Sequence, residues 1–328
     1  MPDERLHQPH DKLFKSSFGD RNTARAFFRT HFPPAIVAII DWESLRLESG
    51  SFIDDELRSS ESDLLYRVGL QAAHRISATA DAFVYLLFEH QRREDRWIAL
   101  RLLTYQTRIW QKYRAAHPLS LALPPILPMV LAQNNQAWSI VPRFHALLDA
   151  SGEAADFGKS PLSQYVPDFM YGLIQLAALP FTEITGTSLG TLTLRVLKAE
   201  RTGDLMSDLV WDEALLLDLT PSHMERILRY IVGVGEFDKT TINRKLNTLK
   251  TAAIKDNAMT IAEQYRQEGR QEGQQEGRRE GQQIGQLIGR IQLLQDLLGR
   301  DATPAENLAT RSISDLQAMH DSLRASLP

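Results

Sequence analysis

The feature that most constrains the fold of this chain is an unbroken apolar segment that ends in polar residues. Residues 82–91 read AFVYLLFEHQ, which is seven apolar residues followed by Glu89, His90 and Gln91. A short continuous apolar run of this kind is typical of a strand that is buried on both faces in the middle of a sheet. Side chains two apart in a strand point to the same face, so Glu89 and Gln91 should project together while His90 projects to the other face.

The segments around this run predict an α/β fold. Patterns typical of strands occur at 44–53, 62–68 and 126–133, and patterns typical of helices occur at 11–31 and 95–114. Strands that lead into a helix and then into another strand indicate an α/β core. We therefore predict an α/β core at 1–135, a mainly helical extension at 136–262, a repeat segment at 263–290 and a small helical module at 291–328.

Composition limits both the chemistry and the location that we expect. The chain has no cysteine, which excludes disulfides, cysteine zinc sites and thiol nucleophiles and agrees with a reducing compartment. Residues 1–15 lack the apolar segment of a signal peptide. The longest apolar run, 121–132, is shorter than the roughly 20 residues of a membrane span. We therefore expect a cytoplasmic protein with no membrane partner.

A carboxylate on a neighbouring strand could complete a metal site with Glu89. Asp63 lies at the start of the strand pattern at 62–68, and its carboxylate can meet that of Glu89 if the two strands are neighbours. Mg²⁺ prefers oxygen ligands, typically one or two carboxylates with waters and substrate phosphate. Such an ion would polarise a scissile phosphate and lower the pKa of an attacking water. A carboxylate that ends an apolar strand is also commonly a cap or a solvated strand end, so the spacing alone leaves both interpretations open.

Positive charge is concentrated in the segment that follows Gln91. Between residues 92 and 114 there are seven basic residues and two acidic ones, in a chain whose net charge is −4. An excess of basic residues beside a metal site suits contacts to a phosphate backbone. An ordinary solvated helix face would have a similar composition. We assign DNA-backbone contacts to Arg92, Arg93, Arg101, Arg108 and Lys112.

Six segments of the chain form an ordered series of motifs. They are HDKLFKSSF at 10–18, ELRSSESDLLYRV at 56–68, VYLLFEHQ at 84–91, LRLLTY at 100–105, LPPILPMVL at 123–131 and YVPDFMYGLIQLAALP at 165–180. The series resembles the recombination-promoting nuclease (Rpn) family, which is also known as the PD-(D/E)XK nuclease family of YhgA-like transposases. The resemblance implies a restriction-endonuclease-like core with a mixed sheet and flanking helices, metal-dependent cleavage of DNA and a link to recombination.

The resemblance also implies roles for individual residues. The acidic residue of the SDLLY motif is Asp63, and the E-x-Q pair is Glu89 and Gln91. Asp63 and Glu89 would bind Mg²⁺ or Mn²⁺, and the backbone carbonyl of His90 would be a further ligand. Gln91 stands where many nucleases of this fold have lysine. A neutral amide can only orient a water by hydrogen bonding, so we predict that role for Gln91.

The same resemblance adds two candidates and shows two departures. The HDKLF motif supplies His10 and Asp11 as additional candidate site residues. Relatives tend to have a Tyr-His-Gly-like stretch after the proline-rich strand, where this chain has AQN at 132–134. They tend to have aspartate in a later motif, where this chain has Gln175. Neither departure affects the proposed metal ligands.

Glycine recurs at every fourth position from residue 269 to residue 289. In a helix each glycine costs roughly 1 kcal/mol relative to alanine, so an isolated helix here should be weak. A strict period of four nonetheless places the glycines along one slowly drifting stripe, where two helices could approach closely. A flexible charged linker and a helical segment that forms a homo-oligomer are therefore both open.

These observations together favour a magnesium-dependent DNA endonuclease that hydrolyses phosphodiester bonds. One alternative is a catalytically degenerate DNA-binding or recombination accessory protein that oligomerises through its C-terminal tail. A second alternative is a purely structural oligomer. Likeness of fold does not prove activity, so dependence of DNA cleavage and binding on metal must separate the first two interpretations.

Overall fold

The computed structural model describes residues 9–48, 63–74, 83–148, 157–235, 237 and 239–326. The chain divides into two compact units, 1–261 and 262–328. The first unit contains one five-stranded sheet with helices packed against it. This confirms the predicted α/β class with a mixed sheet and flanking helices.

The strands of the sheet lie in chain order. They are β1 (Ile40–Leu47), β2 (Asp63–Leu70), β3 (Phe83–Gln91), β4 (Ile126–Ala132) and β5 (Gly172–Gln175). The pairs β1–β2 and β2–β3 are antiparallel, whereas β3–β4 and β4–β5 are parallel. The apolar segment is therefore the central strand, as predicted. Residues 49–53, 62 and 82, which the sequence patterns assigned to strands, lie outside the described residues.

Eight helices of the first unit lie within the described residues. They are α1 (Pro9–Phe18), α2 (Arg21–His31), α3 (Pro34–Ile39), α4 (Ile98–Ala116), α5 (Ser188–Thr202), α6 (Glu213–Leu217), α7 (Pro221–Val234) and α8 (Lys239–Thr248). Short 3₁₀ turns occur at Ala72–His74, Phe144–Leu147, Pro161–Tyr165 and Phe181–Glu183.

The helix predicted over 11–31 is two helices with a break at Gly19 and Asp20. A Cβ atom at Gly19 would lie 2.7 Å from the carbonyl oxygen of Lys15, so only glycine fits this close approach. Asp20 then caps the second helix, because its side chain accepts a hydrogen bond from the backbone N–H of Thr23. The apolar periodicity runs through the break and therefore did not reveal it.

The region after residue 139 is less helical than its sequence predicted. Up to residue 187, its described residues (through 148, then from 157) form 3₁₀ turns and the strand β5. Four residues are too few to display the alternation that identifies a strand. Pairing with β4 provides what the local sequence lacks: Gly172 lies opposite Met129, whose side chain would be 3.2 Å from a Cβ at that position.

The two faces of β3 pack against different helices. Phe88 packs on the aromatic rings of Phe14 in α1 and of Phe27 and Phe28 in α2, with ring centroids 4.8–5.4 Å apart. On the opposite face, Leu87 belongs to a buried cluster that includes several residues of α4. Burial on both faces explains why the segment is apolar throughout, and it makes β3 a rigid support for the polar residues at its carboxyl end.

The second unit is a small helical module with its own core. Its helices are α9 (Ala252–Leu297), whose first residues belong to the first unit, α10 (Ala305–Ala309) and α11 (Ile313–Arg324). The core consists of Leu287, Ile291, Leu308, Leu316 and Leu323. The glycine repeat lies inside α9, so the helical interpretation of the repeat holds, while self-association stays a prediction. In the described parts of the chain no helix is both long and apolar enough to span a membrane.

Candidate active site

Backbone pairing places Asp63 and Glu89 at one end of the antiparallel ladder between β2 and β3. Asp63 is the first residue of β2, and the strand register places it directly opposite Glu89. Residues opposite each other in an antiparallel pair lie on the same face of a sheet, with Cβ atoms roughly 5 Å apart. The condition that the sequence left open, adjacency of these two strands, is therefore met.

Glu89 is fully buried and is held by two neighbours. Its Oε1 atom accepts a hydrogen bond of 2.6 Å from Nε2 of Gln91. The same oxygen lies 2.6 Å from Nη2 of Arg101, one turn into α4, and Nη1 of Arg101 lies 3.1 Å from Oδ2 of Asp95. A buried carboxylate needs such compensation, since an unpaired buried charge is strongly unfavourable. Glu89 and Gln91 thus share one face, as predicted, but the ion pair with Arg101 was not foreseen.

The donor set of Asp63 and Glu89 suits a hard divalent cation, because carboxylate oxygens are the ligands that Mg²⁺ and Mn²⁺ prefer. Among the described side chains no group of three or more histidines, aspartates and glutamates forms a ready-made cation site. A cation held by two carboxylates would complete its coordination with waters and substrate phosphate. Arg101 supplies positive charge to Glu89, so a cation bound there would compete with this guanidinium.

His90 lies on the other face of β3, within a buried polar network. Its Nδ1 atom is 2.8 Å from Oδ1 of Asp11, and its Nε2 atom is 2.8 Å from Oε1 of Gln133. The Nε2 atom of Gln133 donates to the carbonyl of Leu197 at 2.8 Å and to Glu200 at 3.1 Å, which fixes the amide with its oxygen towards His90. Both ring nitrogens of His90 therefore face side-chain oxygen atoms.

The two additional candidates lie on this second face and not beside Glu89. Asp11 binds the ring of His90, and Nδ1 of His10 is 2.5 Å from the hydroxyl of Tyr230. Burial, together with the charge of Arg92, lowers the pKa of His10 to about 3, so this ring is neutral near pH 7. In the structure Asp11 contacts the strand that carries Glu89 through His90, on the opposite face of the sheet, whereas His10 contacts Tyr230 of α7.

The predicted DNA-contact residues have different surroundings. Arg101 is engaged with Glu89, and Nη2 of Arg92 is 3.0 Å from Oε1 of Glu200 in α5. Arg93 is exposed, while Arg108 and Lys112 are partly buried farther along α4. Arg101, Arg108 and Lys112 share one side of α4 by their helical spacing, whereas Arg92 and Arg93 precede this helix.

A pocket of about 350 Å³ lies where the parallel strands β3 and β4 end. It is lined by Arg92 and Arg93 and also by Glu200 and Arg201 of α5. Arg201 donates to the backbone carbonyls of Gln133 and Arg92, each at 3.3 Å. Sequence reasoning missed Gln133, Glu200 and Arg201. The only signal was the unusual AQN after the proline-rich strand.

Comparison with known proteins places the chain in a family. The family model described as "Putative transposase, YhgA-like" matches residues 8–223. The chain belongs to this family. Recombination-promoting nuclease RpnA of Escherichia coli K12 is 30% identical over 82% of this chain and 87% of the relative. Recombination-promoting nuclease RpnD of Escherichia coli O157:H7 is 28% identical over 79% of this chain and 95% of the relative.

The YhgA-like family also contains relatives that are named inactive. The inactive recombination-promoting nuclease-like protein RpnE of Escherichia coli K12 is 27% identical over 82% of this chain and 85% of the relative. No solved structure matches the chain. Membership confirms the resemblance seen in the motifs. Because relatives named as nucleases and relatives named inactive both match, activity in this chain depends on the residues of its own site.

Proposed function

We propose that this chain is a Mg²⁺- or Mn²⁺-dependent DNA endonuclease with a restriction-endonuclease-like core, acting in recombination or mobile-element activity. The observation that carries the proposal is the arrangement of Asp63 opposite Glu89, with Gln91 beside Glu89 at the end of the central strand. The names of the relatives RpnA and RpnD support a nuclease role. The absence of cysteine excludes a thiol nucleophile and thiolate metal ligands. Hydrolysis by a water that is activated on an oxygen-bound metal ion agrees with this composition.

In this mechanism the protein residues position the reacting groups. Asp63, Glu89 and the backbone carbonyl of His90 would hold a divalent cation, which when bound polarises the scissile phosphate and favours ionisation of water. Gln91 hydrogen-bonds and orients the attacking water. Arg101, once displaced from Glu89, is one turn into α4 and can bind a phosphate oxygen of the DNA, since guanidinium forms bidentate bonds to phosphate.

Plasmid cleavage tests the proposal directly. Purified full-length protein is incubated with supercoiled plasmid in Mg²⁺, Mn²⁺ or EDTA, together with Asp63→Asn and Glu89→Gln. Asp41→Asn is a matched control, because Asp41 lies on β1 opposite Gly69, at the other end of β2 from Asp63. We expect nicking or linearisation that requires metal and is lost in the two site variants but retained in the control. Cleavage that survives both site substitutions would overturn this assignment of the site.

A catalytically inactive DNA-binding accessory protein is the second candidate. It is favoured by the family members that are named inactive and by the ion pair through which Arg101 already compensates Glu89. This candidate predicts DNA affinity that is equal in Mg²⁺ and in EDTA, with no cleavage in any divalent metal. Metal-dependent cleavage that is lost in Asp63→Asn would exclude it.

A further inference from the structure

The pocket at the carboxyl ends of β3 and β4 has a positively charged, polar lining. Arg92, Arg93 and Arg201 contribute three guanidinium groups, against the carboxylates of Glu94 and Glu200. Glu94 is itself engaged, because its Oε1 atom accepts hydrogen bonds from Ser139. Formal charges therefore leave an excess of one positive charge, which favours an anionic ligand.

Two arginines of this pocket, Arg92 and Arg201, share a single carboxylate partner. Glu200 serves both neighbours, with Oε1 3.0 Å from Arg92 and Oε2 3.3 Å from Arg201. The guanidinium groups of Arg92 and Arg201 both bind Glu200 and therefore lie close together, where their like charges repel each other. The Nε atom of Arg92 is buried and has no hydrogen-bond partner in the described part of the chain. An anion in the pocket would relieve the repulsion between the guanidinium groups.

The neutral part of the lining indicates which anion fits. Asn134, Asn135, Gln136 and Ala137 complete it, and none of the described residues that line the pocket is an aromatic side chain on which a base could stack. Proteins that hold a nucleobase typically stack it on aromatic rings. A phosphate without contact to its base therefore fits this chemistry better than a whole nucleotide does.

The position of the pocket relates it to the proposed active site. Arg92 directly follows Gln91 and lies three residues beyond Glu89, which is about 10 Å along an extended strand. Successive nucleotides of a DNA strand advance about 3.4 Å along the helix axis, so this distance corresponds to a few nucleotide steps. In sheets with parallel strands, ligands commonly bind beyond the carboxyl ends of the strands.

We propose that this pocket binds a phosphodiester of the DNA backbone a few nucleotides from the scissile bond, with Arg92, Arg93 and Arg201 as its ligands. This rests on the proposed function and names three positioning residues for its substrate, one of which is in α5. Glu200 opposes the phosphate and limits its affinity. Loss of the Glu200 charge should therefore tighten DNA binding, whereas loss of an arginine should weaken it.

DNA binding at several salt concentrations tests this proposal. The dissociation constant of a fluorescein-labelled 20-base-pair duplex is measured by anisotropy in EDTA, with full-length wild type, Arg93→Gln, Arg201→Gln, Arg201→Lys and Glu200→Gln. Arg46→Gln is the matched control, because Arg46 is exposed and lies far from the pocket. It is on β1, opposite Arg67 of β2. Arg67 is in turn opposite Tyr85, near the end of β3 that is farther from the pocket. Losing one phosphate contact should reduce the slope of log affinity against log salt by about 0.9.

We expect this reduction in Arg93→Gln and Arg201→Gln, a wild-type slope in Arg201→Lys and Arg46→Gln, and tighter binding in Glu200→Gln. Arg93 is exposed, so its substitution tests the pocket even if Arg201→Gln does not fold. Wild-type slopes in Arg93→Gln and in every folded Arg201 variant would overturn the proposal.

A parallel measurement separates backbone phosphate from a free anion. The melting temperature is followed with inorganic phosphate against chloride at equal ionic strength. Stabilisation by inorganic phosphate that is lost in Arg93→Gln, without any change in DNA binding, would show a free-anion site and would also overturn the proposal. All of these readings are made without divalent metal, so they are independent of whether the chain cleaves DNA.

Discussion

The Nη2 atom of Arg101 lies 2.6 Å from Oε1 of Glu89, whose side chain is fully buried. The guanidinium therefore compensates the carboxylate that the proposed mechanism assigns to a metal ion. A cation and Arg101 cannot both satisfy the same oxygen at full strength, so metal binding and this ion pair should be coupled.

Substituting Arg101 should expose this coupling. Arg101→Gln leaves the buried carboxylate without its cation, and we expect a loss of about 2 kcal/mol in EDTA, below the range for fully buried pairs because Arg101 is one-third exposed. Millimolar Mg²⁺ should then stabilise the variant more than it stabilises wild type. Thermal unfolding with and without Mg²⁺ measures both effects. Arg114→Gln, at an exposed position near the end of α4, should show neither, and equal stabilisation by Mg²⁺ in all three proteins would contradict the coupling.

Gln91 should act in positioning and not in binding. Its amide donates to Glu89 at 2.6 Å, and we predict that Gln91→Ala lowers kcat for plasmid nicking roughly 10- to 100-fold, the cost of a misplaced water or ligand. The KM for DNA should stay within about twofold, since the lost contact is not to substrate. Gln91→Lys should keep activity, because many nucleases of the fold that the resemblance implies have lysine at this position. Full activity in Gln91→Ala would exclude the proposed role.

Acid should destabilise the first unit through His10. Its pKa is lowered from 6.5 to about 3 in the folded chain, mainly by burial, so between these values the unfolded chain binds a proton that the folded chain does not. The contribution of His10 to the free energy of unfolding is therefore fully present above pH 6.5. It is lost as pH falls towards 3, by at most about 1.4 kcal/mol per pH unit. Urea unfolding between pH 7 and pH 4.5 should show a flatter profile in His10→Gln. His74→Gln, at an exposed histidine, should follow wild type, and identical profiles in all three proteins would contradict this assignment.

The buried amide of Gln133 should be important for folding. It accepts from His90 and donates to Leu197 and Glu200, so Gln133→Met leaves buried donors and acceptors unsatisfied. We expect a loss of about 2–4 kcal/mol in the free energy of unfolding, measured by urea denaturation. Gln136→Met, three residues later in an exposed position, should cost less than about 0.5 kcal/mol. A similar stability for both variants would mean that the network contributes little.

Local patterns predicted the elements whose signal lies in a few consecutive residues. The apolar run at 82–91 predicted the central strand, and strand periodicity placed Glu89 and Gln91 on one face, where the hydrogen bond between them is found. The break at Gly19 and the strand β5 were missed for the opposite reason. One depends on a close approach to Lys15 and the other on pairing with β4, and neither leaves a repeating pattern in the sequence.

The amino-acid sequence by itself determined the α/β class, the family and the order of polar residues at the end of β3, because these follow from hydrophobic periodicity and ordered motifs. Only the tertiary structure decided what surrounds those residues. The hydrogen bond between Gln133 and Leu197 joins residues that are 64 positions apart in sequence, and the one between Arg92 and Arg201 joins residues that are 109 apart. No local preference encodes such contacts. They form because α1 and α2, which bury one face of β3, also pack against α5, and there the charged groups need partners that only folding can supply.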